Sequence, residues 1–237
     1  ALAVQKRERI APPALKAQWQ MLVEQRDNFT LETAQERFDK FISDIRLAIT
    51  NVGDTSNLIL DPDLDSYYLM DAVLLALPQQ ADRLQEAASY LRAIGANKPQ
   101  SFTDEQKIRL NVLATMLRAD SDRLIGSVQT ALNEDKNFLG IIPTLQREVP
   151  PALKDLTTTT DTFTESILAL AGASYSSTTL DAATAEGDAS LDANLAFWSK
   201  SAAELDKIVS TRVDSIKKAR VLALTLALLA WLPAVMV

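Results

Sequence analysis

Apolar residues recur every three or four positions along most of this chain, the spacing of one buried stripe on an α-helix. Leu15, Trp19, Leu22 and Val23 set a first stripe, and Phe38, Phe41, Ile42, Ile45, Leu47, Ile49 and Val52 a second. Pro12-Pro13 marks the start of the first, because proline fits the opening turn of a helix, and Thr30 reads as an N-cap for the second. Together they predict one bent helix of about 40 residues or two shorter ones.

A third stripe, Leu69, Val73, Leu74, Leu77, Leu84, Ala87, Ala88 and Leu91, runs toward Gly95. Pro78 lies inside it, and the backbone hydrogen bond it removes predicts a kink. Asp61-Pro62 reads as a cap followed by a first-turn proline, with Asp63 and Asp65 in the first turn, where the helix dipole favours negative charge. Thr103-x-x-Gln106 is a capping box opening a fourth helix through Ile108, Val112, Leu113, Met116, Leu117, Leu124, Ile125, Val128 and Leu132, with a stop between 137 and 140. Pro143, Pro150 and Pro151 predict a break before a fifth helix over 152–171, which the β-branched run Thr157 to Thr160 weakens. A last helix starts between 180 and 190, carries Leu191, Leu195, Trp198, Leu205, Ile208, Val209, Val213 and Ile216, and runs into the uncharged stretch 221–237.

That stretch is near the lower limit for spanning a bilayer and has only Thr225 as a polar break, so it reads as a transmembrane helix; a buried terminal core helix is the alternative. Lys217, Lys218 and Arg220 precede it, a flank that usually marks the cytoplasmic side. The remaining helices, joined by short turns, give an all-α fold: an elongated up-down bundle of four to six helices over residues 1–220, continuing into the C-terminal helix over 221–237. Its first and last helices are expected to run side by side.

Composition narrows the function. A net charge of −7 argues against nucleic acid as a partner, since neutralising phosphates takes clustered Lys and Arg. Cysteine and histidine are both absent, which removes thiolate chemistry, disulfides, the commonest general base and the usual transition-metal ligand. No catalytic constellation, metal site or cofactor motif is expected, and the chain does not read as an enzyme.

The densest polar cluster is the corner between the second and third stripes, residues 51–71. One reading makes it a well-capped turn: acids cap, Asn and Ser satisfy turn groups, and Tyr67 and Tyr68 pack. The other makes it a pocket for a small polar ligand, with Arg46, Asn51, Asp54, Asn57, Asp61, Tyr67, Tyr68 and Asp71 as the lining. Arg46 fits such a role because it lies about one and a half turns before Asn51 and guanidinium grips carboxylates bidentately. Arg83, Arg92, Arg109, Arg118 and Arg123 are weaker anion clamps, read as helix-face charges paired with nearby acids. Asp61-x-Asp-x-Asp65 is half of a calcium loop, but the required Gly and distant Glu are missing and Pro62 stiffens it, so calcium is discounted. Trp19 and Trp198 sit on apolar faces and are expected in the core.

The run from Val52 to Asp71, with Leu77-Pro78 after it, resembles the periplasmic all-helical sensor region of some bacterial methyl-accepting chemotaxis receptors, sensor histidine kinases and diguanylate cyclases. The resemblance implies an extracytoplasmic sensing domain at the bacterial inner membrane. It also implies an unidentified small polar ligand or periplasmic partner protein, homodimerisation, and displacement of the last helix as the signal. A membrane-tethered helical scaffold with no small-molecule ligand is the alternative.

Overall fold

A computed structural model describes residues 13–56, 58–97, 99–137, 140–172 and 174–235, and leaves out the side chains of 13, 31, 32, 35, 230 and 232–235. Among the described residues all regular structure is helical. We label the helices α1 (Pro13–Gln25), α2 (Leu31–Thr55), α3 (64–96), α4 (Asp104–Glu134), α5 (Pro143–Gly172) and α6 (Ser177–Val235). The first two stripes thus form separate helices, divided by a short 3-10 turn at Arg26–Asn28, and Thr30 caps α2 by accepting the Thr33 amide.

Helices α3, α4, α5 and α6 form an up-down bundle in which each packs on its two neighbours. Each presents a stripe of buried residues at three- and four-residue spacing. On α4 these are Leu110, Leu113, Leu117, Leu124, Val128 and Ala131, behind a capping box in which Thr103 and Gln106 bond each other's backbone amides. Burying each of the leucine and valine side chains stabilises the fold by roughly 1.5–3 kcal/mol. α1 packs against α2 through a stack of Trp19 on Phe41, 5.7 Å between ring centroids. The expected pairing of first and last helices is not found among the described residues, where α1 lies on α2 instead. Trp19 correspondingly remains 48% exposed, whereas Trp198 packs on the core as expected.

Proline sets two local outcomes. In α3, Pro78 follows a π-helical segment, Ala72–Ala76, that joins the α-helices Leu64–Asp71 and Leu77–Ala96. The Leu77 amide reaches back five residues to the Ala72 carbonyl, which widens the helix just where the proline ring would otherwise meet the preceding turn. Pro150 and Pro151 do not break the chain: α5 begins at Pro143 and contains both. Leu145, Val149, Leu153 and Leu156 are buried on either side of them, so core packing offsets the lost amides while the proline rings face solvent. The Thr157 to Thr160 run is likewise helical; Thr158 and Thr159 turn their hydroxyls back on the carbonyls of Lys154 and Asp155.

The core divides in two. One apolar cluster includes Leu69, Leu77, Leu124, Leu156 and Phe197, and a second includes Leu84, Leu91, Leu117, Phe163 and Ile167. Between them every bundle helix places a buried polar residue on its stripe: Gln80, Ser121, Thr160 and Asn194. Asn194 donates to Gln80 Oε1 at 2.9 Å, and Gln80 donates to Ser121 Oγ at 2.9 Å. Asn194 Oδ1 and Thr160 Oγ1 find no partner.

α6 is 59 residues long and outruns the bundle. Its last buried apolar residues are Leu205 and Ile208, and each described side chain from Val213 to Leu229 is exposed. Val221, Leu222, Leu224, Leu226, Leu228 and Leu229 are exposed all round the helix rather than on one face. Among the described residues no helix is long and apolar enough to cross a membrane. The end of the 221–237 stretch, with the side chains of 230 and 232–237, lies outside the described residues.

Candidate functional site

The polar corner is built by the end of α2, a 3-10 turn at Leu58–Leu60 and the start of α3. α2 runs through Gly53 to Thr55, further than the turn residues predict, with the Thr55 and Ser56 hydroxyls bonded back to the carbonyls of Asn51 and Gly53. Gly53 marks a close approach of α2 to α3: a Cβ there would lie 2.9 Å from Leu74 Cδ1, the tip of a side chain that would have to turn aside. Asp61 Oδ1 accepts the Asp63 amide at 3.1 Å, an Asx turn that tightens the corner around Pro62. The helix then begins at Leu64, so Asp61 is not its cap and Pro62 is not its first residue.

The acids of the corner converge instead on one cation. Arg212 of α6 donates through Nη1 to both Asp61 oxygens at 2.6 Å and through Nη2 to Ser66 Oγ at 2.7 Å and Asp65 Oδ1 at 3.4 Å. Asp63 Oδ2 lies 2.7 Å from Nε, but off the N–H direction, so that contact is coulombic and Nε has no hydrogen bond. Ser66 donates its own proton to Asp61 Oδ2 at 2.8 Å, closing a ring from guanidinium through hydroxyl to carboxylate. The Asp61 and Asp65 side chains are almost wholly buried, and that of Arg212 keeps 17% of its surface. Burial raises the Asp65 carboxyl above its ordinary range, against the lowering pull of the Ser66 amide and Arg212. Three carboxylates around one guanidinium leave a surplus of negative charge.

The residues proposed as a ligand pocket are not gathered around one cavity. Arg46 pairs with Asp82 on α3 at 2.7 Å. Asn51 and Asp54 are exposed, and Asn57 lies outside the described residues. Asp61 holds Arg212, whereas Asp71 holds Arg123 and Ser127, each at 2.9 Å, from the other side of α3. Tyr67 and Tyr68 form an edge-to-face pair 5.4 Å apart, Tyr67 exposed and Tyr68 packed on the core. Of the weaker clamps, Arg83 pairs with Asp120, Arg92 with Asp188, Arg109 with Glu86, and Arg118 is exposed. A shallow, mostly apolar surface dip lies on α4 between Ile108 and Met116, away from the corner. No group of three or more acidic side chains among them is arranged to hold a metal ion.

Sequence reasoning missed Arg212, and a signal for it exists. Leu205, Ile208 and Arg212 continue one core-facing stripe of α6, and a guanidinium on such a stripe needs anions opposite. The aspartates of 61–65, read alone as caps, are those anions. The chain matches no family model, no characterised protein and no solved structure with which it was compared.

Proposed function

We propose that this chain is a non-enzymatic, extracytoplasmic sensing domain of a bacterial transmembrane signalling receptor, with residues 221–237 inserted in the inner membrane and the bundle in the periplasm. The observation that carries the reading is α6: a single helix packs along the bundle, is pinned at Arg212 and continues outward as a rod with apolar side chains on every face. A water-exposed helix that is apolar all round has no stable aqueous setting, and lipid is the surrounding that matches it. The resemblance of residues 52–71 to receptor sensor regions supports the same reading and adds homodimerisation, to be measured as the mass of the detergent-solubilised chain.

Co-flotation with phospholipid vesicles tests it. The full chain is expected in the vesicle fraction and to stay there after a high-salt wash, while Leu222→Asp with Leu226→Asp shifts it to the unbound fraction. A full chain that remains unbound refutes membrane insertion.

A second reading, a membrane-tethered scaffold without a small ligand, is favoured by one observation: Arg46, Asp61 and Asp71 are already engaged by Asp82, Arg212 and Arg123. A thermal-shift screen of metabolites on the full chain separates the two, since a ligand that binds only the folded state raises the melting temperature in proportion to its saturation.

A further inference from the structure

We propose that the Arg212 cluster is a conformational clasp: it fixes the point at which α6 leaves the bundle, and its opening frees the following residues to move as one arm. The inference goes beyond the receptor reading and stands without it, because it concerns the joint and not what surrounds the arm.

Three observations meet here. Arg212 makes the last hydrogen bonds and ion pairs from α6 into the bundle among the described residues; from Val213 onward the side chains are exposed, and Asp214 pairs with Lys217 on the same helix. One turn earlier the attachment is apolar and continuous, through Leu205, Ile208 and Val209. Everything Arg212 holds belongs to one short segment, residues 61–66.

The turn that leads into that segment is lightly anchored, although Asp65 and Ser66 themselves are buried at the start of α3. Leu60 is exposed, Leu58 and Ile59 are only partly buried, and the aspartates have no other cation within contact distance among the described residues. Taking the guanidinium away leaves like charges facing one another with little solvent between them, which drives the corner open rather than letting it relax by degrees. The clasp therefore has two states. Closed, α6 is held to its 212th residue and the arm is a rigid continuation of the bundle. Open, the hold ends at Val209, and the arm gains most of a helical turn of freedom. Any event that displaces residues 51–66, the polar surface of the corner, acts on α6 through this contact.

The absence of cysteine allows unambiguous labelling. Spin labels at Ile216→Cys on the arm and Gln129→Cys on α4 report the arm; labels at Gln129→Cys and Ala189→Cys, both on exposed positions of bundle helices, report the bundle. In the full chain in detergent micelles, double electron–electron resonance is expected to give one narrow distance for each pair. Arg212→Gln is expected to broaden or shift the arm distance and leave the bundle distance unchanged. Amides of 209–220 should lose protection from hydrogen exchange by about tenfold or more while those of 84–117 keep theirs. An unchanged arm distance in Arg212→Gln overturns the proposal, and so does equal broadening of both pairs, which means general loosening. If Arg212→Gln does not fold, Asp63→Asn replaces it, because Asp63 is the most exposed of the three acids at 23% and its loss leaves the hydrogen bonds in place. Partial broadening confined to the arm is the expected result there, and none at all overturns the clasp. Neither outcome depends on vesicle binding, so failure of the receptor reading and failure of the clasp are distinguishable.

Discussion

Gly187 and Gly126 are both glycines inside long helices, and replacing each by alanine should change stability in opposite directions. Alanine in a helix interior is favoured over glycine by about 1 kcal/mol, because the backbone loses less freedom on folding. At Gly126, on the exposed face of α4, an added Cβ meets nothing within 4 Å, so Gly126→Ala keeps that gain. At Gly187 the same atom would lie 2.8 Å from Phe163 Cζ, 3.0 Å from Phe163 Cε2 and 3.1 Å from Ala88 Cβ. Phe163 is fully buried, so its ring has nowhere to swing, and Ala88 Cβ is fixed directly to the α3 backbone. Overpacking of this kind costs about 1–3 kcal/mol, which exceeds the propensity gain. The two variants should therefore differ by about 2 kcal/mol, which at roughly 2–4 °C per kcal/mol places Gly187→Ala several degrees below Gly126→Ala. Thermal unfolding followed by circular dichroism measures both. Phe163→Leu in the Gly187→Ala background should recover part of the loss, since it removes the ring tip. If Gly187→Ala melts at or above Gly126→Ala, the close approach of α6 to α5 and α3 at this level is refuted.

The polar layer gives a second test: Asn194→Leu leaves the buried Gln80 oxygen without a donor and should cost about 1–3 kcal/mol, whereas Gln80→Leu with Asn194→Leu should recover most of it, a non-additivity read from a double-mutant cycle of urea midpoints. Thr103→Ala removes the capping box of α4 and should lower stability by about 1 kcal/mol by the same assay. Asp65 supplies a pH prediction. Because burial raises its carboxyl in the folded chain, its contribution is fully present below the unfolded value and is lost as pH rises through the folded one. The stability of the native chain relative to Asp65→Asn should therefore fall as pH is raised from about 4 toward neutrality, and a flat or rising difference contradicts the burial argument.

What the sequence made legible was whatever repeats along one helix. The stripes of α3, α4, α5 and α6, the Thr30 cap and the Thr103 capping box are local patterns, and the structure contains each of them. Proline was misjudged at 150 and 151 for a physical reason: the local penalty is readable, but the buried leucines that offset it act through α4 and α6, which no window of sequence contains. The corner shows the same limit. Asp61, Asp63 and Asp65 satisfy every local rule for a helix start, and nothing within 51–71 indicates that the anions are meant for a residue some 150 positions away.

The polar layer and the Arg212 cluster share a logic that the apolar clusters lack. Leucine and alanine stripes of similar width bury well at more than one rotation or offset of α6. Polar contacts do not tolerate such shifts: displacing α6 by one turn takes Asn194 from Gln80 and Arg212 from Asp61 together, leaving buried donors and acceptors unpaired at both levels. The two contacts, at the middle and at the end of the bundle, therefore fix a single register for the helix that continues outward. That register is well defined but not deeply held, because the inner contact already carries unpaired atoms at Asn194 and Thr160 and the outer one carries surplus negative charge. A helix held in one position by contacts of this kind shifts between discrete positions when either is disturbed, which is the behaviour the proposed signalling role of α6 requires.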